Sequence, residues 1–173
     1  MKGISLAREW NEAQGSKVKA QKTHTIPQIS KTRDLPQSNP QIAVCMTDAS
    51  WDANRLRVGL AWVLTGAPAT VVRNGTSIQD FVTSPLVAEA LAIREGLYWT
   101  ASQKISHLWI CSDNLTLIGV LINKTQRKKL LEIIKDIHNL LYVFVSIDFF
   151  HISKEKNEET DALAKASLRN SFV

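Results

Sequence analysis

Polar and apolar positions divide the chain near Pro40. From Gly15 to Gln41 the sequence GSKVKAQKTHTIPQISKTRDLPQSNPQ is rich in Lys, Gln, Ser, Thr and Pro and poor in large apolar groups. Such a stretch buries too little surface to offset its ordering entropy, so it reads as a linker. Ile4, Leu6 and Trp10 ahead of it suit a helix too short to hold alone. Residues 1–40 are therefore expected to be a basic, flexible leading segment, and residues 41–173 one domain.

Beyond Pro40 the pattern becomes that of alternating strands and helices. QIAVCMTDAS (41–50) predicts a first strand, with Asp48 at its end. Ile42, Val44 and Met46 share a face with Asp48, and Ala43, Cys45 and Thr47 line the other, which predicts a strand buried on both sides. RLRVGLAWVL (55–64) follows the turn-like WDAN as a second strand, and ATVVRNGTSIQDF (69–81) makes a third unless Asn74-Gly75 turns the chain within it. Three closely spaced strands predict an antiparallel meander. In SPLVAEALAIREGLYWTASQ (84–103), Ser84 and Pro85 open a helix on which Leu86, Ala90, Ile93 and Leu97 recur at helical spacing. HLWICS is a fourth strand, NLTLIGVLIN and KKLLEIIKDIHNLL are two helices around a basic break, VFVSIDFFHI (143–152) is a fifth strand, and NEETDALAKASLRN closes as a helix. The order β-β-β-α-β-α-α-β-α is that of one mixed α/β domain with helices on the sheet.

Composition narrows the class without naming a function. An apolar content of 45% supports a real core, and no run approaches a membrane span. Cys45 and Cys111 fall inside strand-like runs and read as buried free thiols of a reducing compartment, with no spacing for a zinc site. The start of the chain lacks a secretory pattern, so an intracellular protein of nucleus or cytoplasm is expected. Residues 1–40 hold seven Lys/Arg against three acids, so most of the net charge of +5 sits in the leading segment. A basic tail either attracts phosphates or is simply solvated. The same two readings apply to KTQRKK (124–129).

Four acids stand out by position: Asp48, Glu89, Asp113 and Asp161. Asp113 alone reads as the N-cap of the following helix. Asp161 alone reads as a helix-start acid with Lys165 as its i+4 partner. Asp48 and Glu89 resist such readings. Glu89 lies beside Ala92, Ile93 and Gly96 on the edge of an apolar stripe, and Asp48 has no Lys or Arg within six residues. A carboxylate so placed is costly unless something positive is supplied, and a divalent cation would answer for both.

These stretches together resemble the type 1 ribonuclease H family, most of all the version found in plants at the end of non-LTR retrotransposon polyproteins and in stand-alone relatives. The carrying motifs are TDAS (47–50), SPLVAEALAIREGL (84–97), SDN (112–114) and HISKEKNEETDALA (151–164), and the resemblance covers about residues 42–170. It implies a five-stranded sheet ordered 3-2-1-4-5, with strand two antiparallel to the rest. It implies two Mg²⁺ ions, with Mn²⁺ as a substitute, held by Asp48, Glu89, Asp113 and Asp161. It also implies hydrolysis of the RNA strand of RNA/DNA hybrids, leaving 3′-hydroxyl and 5′-phosphate ends. His151 takes the place of a histidine that moves a proton or helps product release. Ser50, Ser84 and Asn114, which flank the expected ligands, are candidate substrate contacts. His24, His107 and His138 have no motif context, and Trp51, Trp62, Trp99 and Trp109 read as core or edge packing. The expected partner is an RNA/DNA hybrid, with no membrane, for a monomer that was once part of a larger reverse transcriptase polyprotein. The alternative is a domesticated relative of the same fold that binds nucleic acid or a protein and cuts little. A 3′–5′ exonuclease is disfavoured, because its first Asp and Glu stand two residues apart on one strand.

Overall fold

The computed structural model describes residues 35–37, 39–66 and 73–172. The expected leading helix and linker fall almost wholly on residues 1–34, outside the described residues. The first four residues expected in the third strand, 69–72, also lie outside them. What is described is a five-stranded sheet in the order β3-β2-β1-β4-β5. The strands are β1 (Ala43–Asp52), β2 (Arg57–Thr65), β3 (Asn74–Asp80), β4 (His107–Ser112) and β5 (Ser146–His151). β2 runs antiparallel to both β1 and β3, and β4 runs parallel to both β1 and β5. Asn74-Gly75 does not turn the chain: both residues pair with β2, and Gly75 sits against the Trp62 ring.

The helices are α1 (Pro85–Ser102), α2 (Leu115–Asn123), α3 (Leu131–Leu141) and α4 (Glu158–Asn170), the last two each preceded by a 3₁₀ turn. α1 starts where Ser84 Oγ accepts from the Val87 amide at 3.2 Å, with proline at the first helical position. It buries far more than one stripe, Ala88, Leu91 and Ala92 included, because it lies between the sheet and α3. On its outer side Arg94 reaches Asp136 of α3 at 3.3 Å. None of the helices among the described residues is long and apolar enough to cross a membrane. The tryptophans pack as expected: Trp62 lies 6.3 Å from Trp99, Trp109 is 5.4 Å from Phe150, and Trp51 donates to the Val82 carbonyl.

Two glycines set how closely the helices approach the sheet. A methyl group at Gly96 would lie 3.0 Å from Thr47 Cγ2 and 3.4 Å from Cys45 Sγ, so α1 rests almost directly on the Cys45/Thr47 face of β1. A methyl group at Gly59 would collide with the Ala164 carbonyl oxygen and stand 2.8 Å from the Leu168 nitrogen, so α4 rests on β2. The Gly96 contact includes Trp62 of β2, and side chains alternate along a strand, so Gly59 and Trp62 mark opposite faces. α1 and α4 therefore clamp the middle of the sheet from its two sides.

β1 departs from the strand expected on sequence in two ways. Its Ala43/Cys45/Thr47 face is buried, but Ile42, Val44 and Met46 are only half-buried, because α4 covers that side incompletely. Asp48 does not end the strand; pairing with β2 continues to Asp52. What ends near Asp48 is the ladder on the other side, which stops at Met46 and Cys111.

Gly59→Ala should destabilise the fold by about 1–3 kcal/mol, since the clash is with backbone that cannot swing away. Gly119→Ala, in α2 with nothing within 4 Å of the added carbon, should instead stabilise it by about 0.5–1 kcal/mol. Urea midpoints of the two variants check both signs.

Candidate active site

Each of the four acids arrives from a different element. Asp48 projects from the middle of β1, where β1 and β4 have parted. Asp113 follows the last residue of β4, Glu89 lies in the second turn of α1, and Asp161 in the first turn of α4. Carboxyl oxygens of Asp48, Glu89 and Asp113 all lie within 4.8 Å of one another. Asp161 is not one of that group; its Oδ2 receives the Lys165 ammonium at 2.7 Å. It still lies close enough to Asp48 to add to the charge felt there.

The backbone around the cluster is fixed by side chains. Where the β1/β4 ladder stops, Thr47 Oγ1 donates to the Cys111 carbonyl at 3.2 Å, and Asn157 Nδ2 donates to the Thr47 carbonyl at 3.1 Å. Asn157 is fully buried at the start of α4 and joins that helix to β1. Its place in the NEETDALA motif was visible in the sequence, but no spacing rule says which carbonyl it meets. Thr160, also fully buried, was not singled out by sequence, and its hydroxyl has no hydrogen-bond partner. Asp113 is held by its surroundings: the Asn114 amide donates to Ser112 Oγ at 3.1 Å, and His151 Nε2 meets the Asp113 carbonyl at 3.1 Å.

Asn114, not Asp113, caps α2, its Oδ1 accepting from the Leu117 amide at 2.9 Å. The capping explanation for Asp113 therefore fails, and its carboxylate is free for the cluster. Ser84 is likewise a helix cap. Ser50 is half-buried, two residues beyond Asp48 on the same face of β1. His151 is the last residue of β5, half-buried and in register with Ser112.

Crowding dominates the electrostatics. Burial first, then the Asp48 and Asp113 charges, push the Glu89 carboxyl up to about 9. Asp48 is raised to about 7, by burial first and then by Asp113, with a smaller push from Asp161. Without a cation both shifts favour the protonated carboxyl over the charged one, most strongly at Glu89. Glu89 Oε2 is buried and has no hydrogen-bond partner. Three carboxylates with oxygens within 4.8 Å of one another, one of them carrying an unpartnered oxygen, suit a divalent cation such as Mg²⁺ or Mn²⁺ and offer no soft ligand. Cys45 and Cys111 are buried free thiols, both pushed upward by desolvation.

The geometry agrees with comparisons to known proteins. A family model described as reverse transcriptase-like matches residues 46–167. No curated protein sequence matches the chain. Among solved structures, RNase H1 of the halophilic archaeon Halobacterium salinarum NRC-1 is similar at 21% identity and a TM-score of 0.68, over 75% of this chain and 98% of that one. The N-terminal RNase H domain of a Mycobacterium tuberculosis protein is similar at 19% identity and a TM-score of 0.67, over 75% and 94%. LC11-RNase H1, isolated from compost by a metagenomic approach and solved in complex with an RNA/DNA hybrid, is similar at 19% identity and a TM-score of 0.66, over 76% and 99%. The fold is RNase H-like, with the 3-2-1-4-5 sheet expected.

The raised carboxyls set a pH dependence of known sign. In chelator the folded state keeps protons that the unfolded state, with ordinary values of 3.8 and 4.5, has already released. Stability should therefore fall as pH rises from about 4, and level off above about 9. Melting temperatures recorded in chelator from pH 5 to 9 should drop by several degrees. Glu89→Gln should flatten that slope, and in the unaltered chain Mg²⁺ or Mn²⁺ should offset it by binding the folded form.

Proposed function

The chain belongs to the reverse transcriptase-like family, and from that premise we propose that it is a metal-dependent endonuclease that hydrolyses the RNA strand of RNA/DNA hybrids. The observation that carries this reading is the convergence of carboxyl oxygens of Asp48, Glu89 and Asp113 to within 4.8 Å of one another, with Glu89 Oε2 left without a hydrogen-bond partner. The hybrid bound to the similar compost-derived enzyme supports the choice of substrate. The functional unit is residues 41–173, an intracellular monomer descended from a reverse transcriptase polyprotein of the plant, non-LTR type, with residues 1–40 as a leading segment.

Asp48, Glu89 and Asp113 would hold the metal, and Asp161, now paired with Lys165, would complete the ligand set for a second Mg²⁺. When bound, divalent cations supply Lewis-acid stabilisation of the phosphate and a water acidic enough to attack it at neutral pH. The remaining work falls to the chain. Deprotonation of Asp48 and Glu89, both raised by burial and crowding, would prepare them as ligands. The Asp113 carbonyl can only accept, so His151 Nε2 carries a proton toward it. The other ring nitrogen, Nδ1, is then the acceptor of the neutral imidazole and the atom at which a proton can be taken up. Addition of the water oxygen to phosphorus breaks the P–O3′ bond. The water's proton leaves to His151 Nδ1 or to solvent, solvent protonates O3′, and the products are a 3′-hydroxyl and a 5′-phosphate. Ser50, on the Asp48 face of β1, is placed to meet substrate; Ser84 and Asn114 are spent on capping, and only their remaining polar atoms are free for it.

A second reading, a hybrid-binding module that cuts little, is favoured by the Asp161–Lys165 pair, which leaves the fourth carboxylate outside the group of three.

Labelled RNA/DNA hybrid, single-stranded RNA and duplex RNA with Mg²⁺ separate the two. Cutting confined to the hybrid, and lost below detection in Asp113→Asn, is the expected result. Binding without cutting by the unaltered chain supports the second reading. His151→Ala should lower kcat by about a hundredfold, the lower end for an acid–base group. The metal-induced rise in melting temperature should remain in that variant, and its loss would show that His151 acts by holding Asp113 instead.

A further inference from the structure

We propose that Asn157 is a positioning residue for the metal centre: by holding the carbonyl of Thr47, it fixes where the carboxylate of Asp48 stands relative to that of Asp161. The inference rests on the metal-dependent hydrolase reading above and adds to it a fully buried residue outside the four acids.

An asparagine just before a helix ordinarily caps it, its side-chain oxygen accepting from an amide of the first turn. Asn157 stands at that place before α4 and makes no such bond. Its side chain turns to the sheet instead, where Nδ2 donates to the Thr47 carbonyl at 3.1 Å. That choice is costly, because Oδ1 is buried and has no hydrogen-bond partner. An apolar side chain would leave no such atom unpaired. What asparagine supplies here is the contact of its amide nitrogen, and that contact is to the peptide joining Thr47 to Asp48.

The tie falls between the acids it aligns. Asp48 follows Thr47 directly, and Asp161 lies about one turn of α4 beyond Asn157. Farther along, α4 is seated on β2, where Ala164 and Leu168 meet Gly59. Asp161 is thus placed between two points at which its helix is held, one by packing and one by the Asn157 amide. The Thr160 hydroxyl, buried on the same turn, has no hydrogen-bond partner and does not share the task.

Thr47 passes the restraint on. Its hydroxyl donates at 3.2 Å to the carbonyl of Cys111, which stands two residues before Asp113. Two hydrogen bonds in series therefore join α4, β1 and β4, the elements that carry or lead to Asp161, Asp48 and Asp113. Carboxylates already held in place bind a cation more tightly than ones that must first be gathered, and partners outside the ligand set are what hold them.

The test is calorimetric titration of Mn²⁺ into the full chain, well below its unfolding temperature. Asn157→Ala should bind the metal roughly tenfold to a hundredfold more weakly than the unaltered chain. Its kcat on labelled hybrid should fall by a similar factor at low metal and recover in part as Mn²⁺ is raised, with KM for the hybrid unchanged. Ile137→Val, a change at a fully buried position of α3, should lower stability and leave metal affinity as it was. Equal affinity in Asn157→Ala and the unaltered chain overturns the inference. So does a loss shared by Ile137→Val, which makes stability the cause. Should Asn157→Ala not fold, the ¹⁵N-labelled unaltered chain decides: the Asn157 side-chain amide should shift on adding Mg²⁺ with the same midpoint as the Asp48 backbone amide, and no shift overturns the inference. Each of these failures leaves the hydrolase reading standing so long as the unaltered chain binds metal and cuts hybrid. An unaltered chain that binds no metal overturns both.

Discussion

The site depends on where the parallel ladder between β1 and β4 ends. Pairing stops at Met46 and Cys111, while β1 continues with β2 for six more residues. The gap this leaves is lined by backbone carbonyls that a continued ladder would have satisfied, and buried carbonyls need partners. The Thr47 hydroxyl and the Asn157 amide take them. With strands parted and backbone satisfied, acids from both layers of the domain can reach one place. Glu89 comes from the helix on one face and Asp161 from the helix on the other. The distances at which those helices stand are set by Gly96 and Gly59, where any side chain would hold them off.

Bringing like charges together in a half-buried place works against folding, so the cluster must be carried by interactions elsewhere. The core around α1, closed on one side by the sheet and on the other by α3, supplies them. The cluster also has its own relief. Desolvation and mutual repulsion raise Asp48 and Glu89 until a proton is retained near neutrality, and the proton occupies the electrostatic role that a divalent cation would take. Asp161, farther out, is relieved by Lys165 instead. The four acids are therefore not equivalent: Asp48 and Glu89 are pushed toward the protonated form by burial and crowding, and Asp161 has a partner of its own.

Much of this was legible in the sequence because periodicity reports burial. The element order, the meander and the helix start at Ser84 follow from alternation, spacing and caps, which act locally. Asp48 and Glu89 were conspicuous for the same reason, as charges placed where local pattern demanded apolar groups. Asp113 could not be separated from a cap, because Asp and Asn at adjacent positions compete for one role and only the backbone decides that Asn114 fills it. The end of β1 was misplaced because a strand can lose one neighbour and keep the other, a long-range fact with no local mark. The double-sided burial of α1 was hidden likewise, since alanine suits a helix whether or not a second layer covers it. Asn157's role was illegible because it acts through a carbonyl 110 positions away.

A centre made of carboxylates repels the phosphates of any nucleic acid before cations are bound, so grip on the substrate has to come from outside the centre. Lys124, Arg127, Lys128 and Lys129 are exposed beyond the far end of α2, whose nine residues span roughly 14 Å. Attraction over that distance is screened at physiological salt, where the Debye length is about 8 Å. Such charges can draw a strand toward the domain, but they cannot fix which phosphate lies over Asp48. Register has to be set by contacts close to the acids that do not depend on charge. On the hydrolase reading, the half-buried Ser50, two residues past Asp48 on the same face of β1, is where the chain offers one.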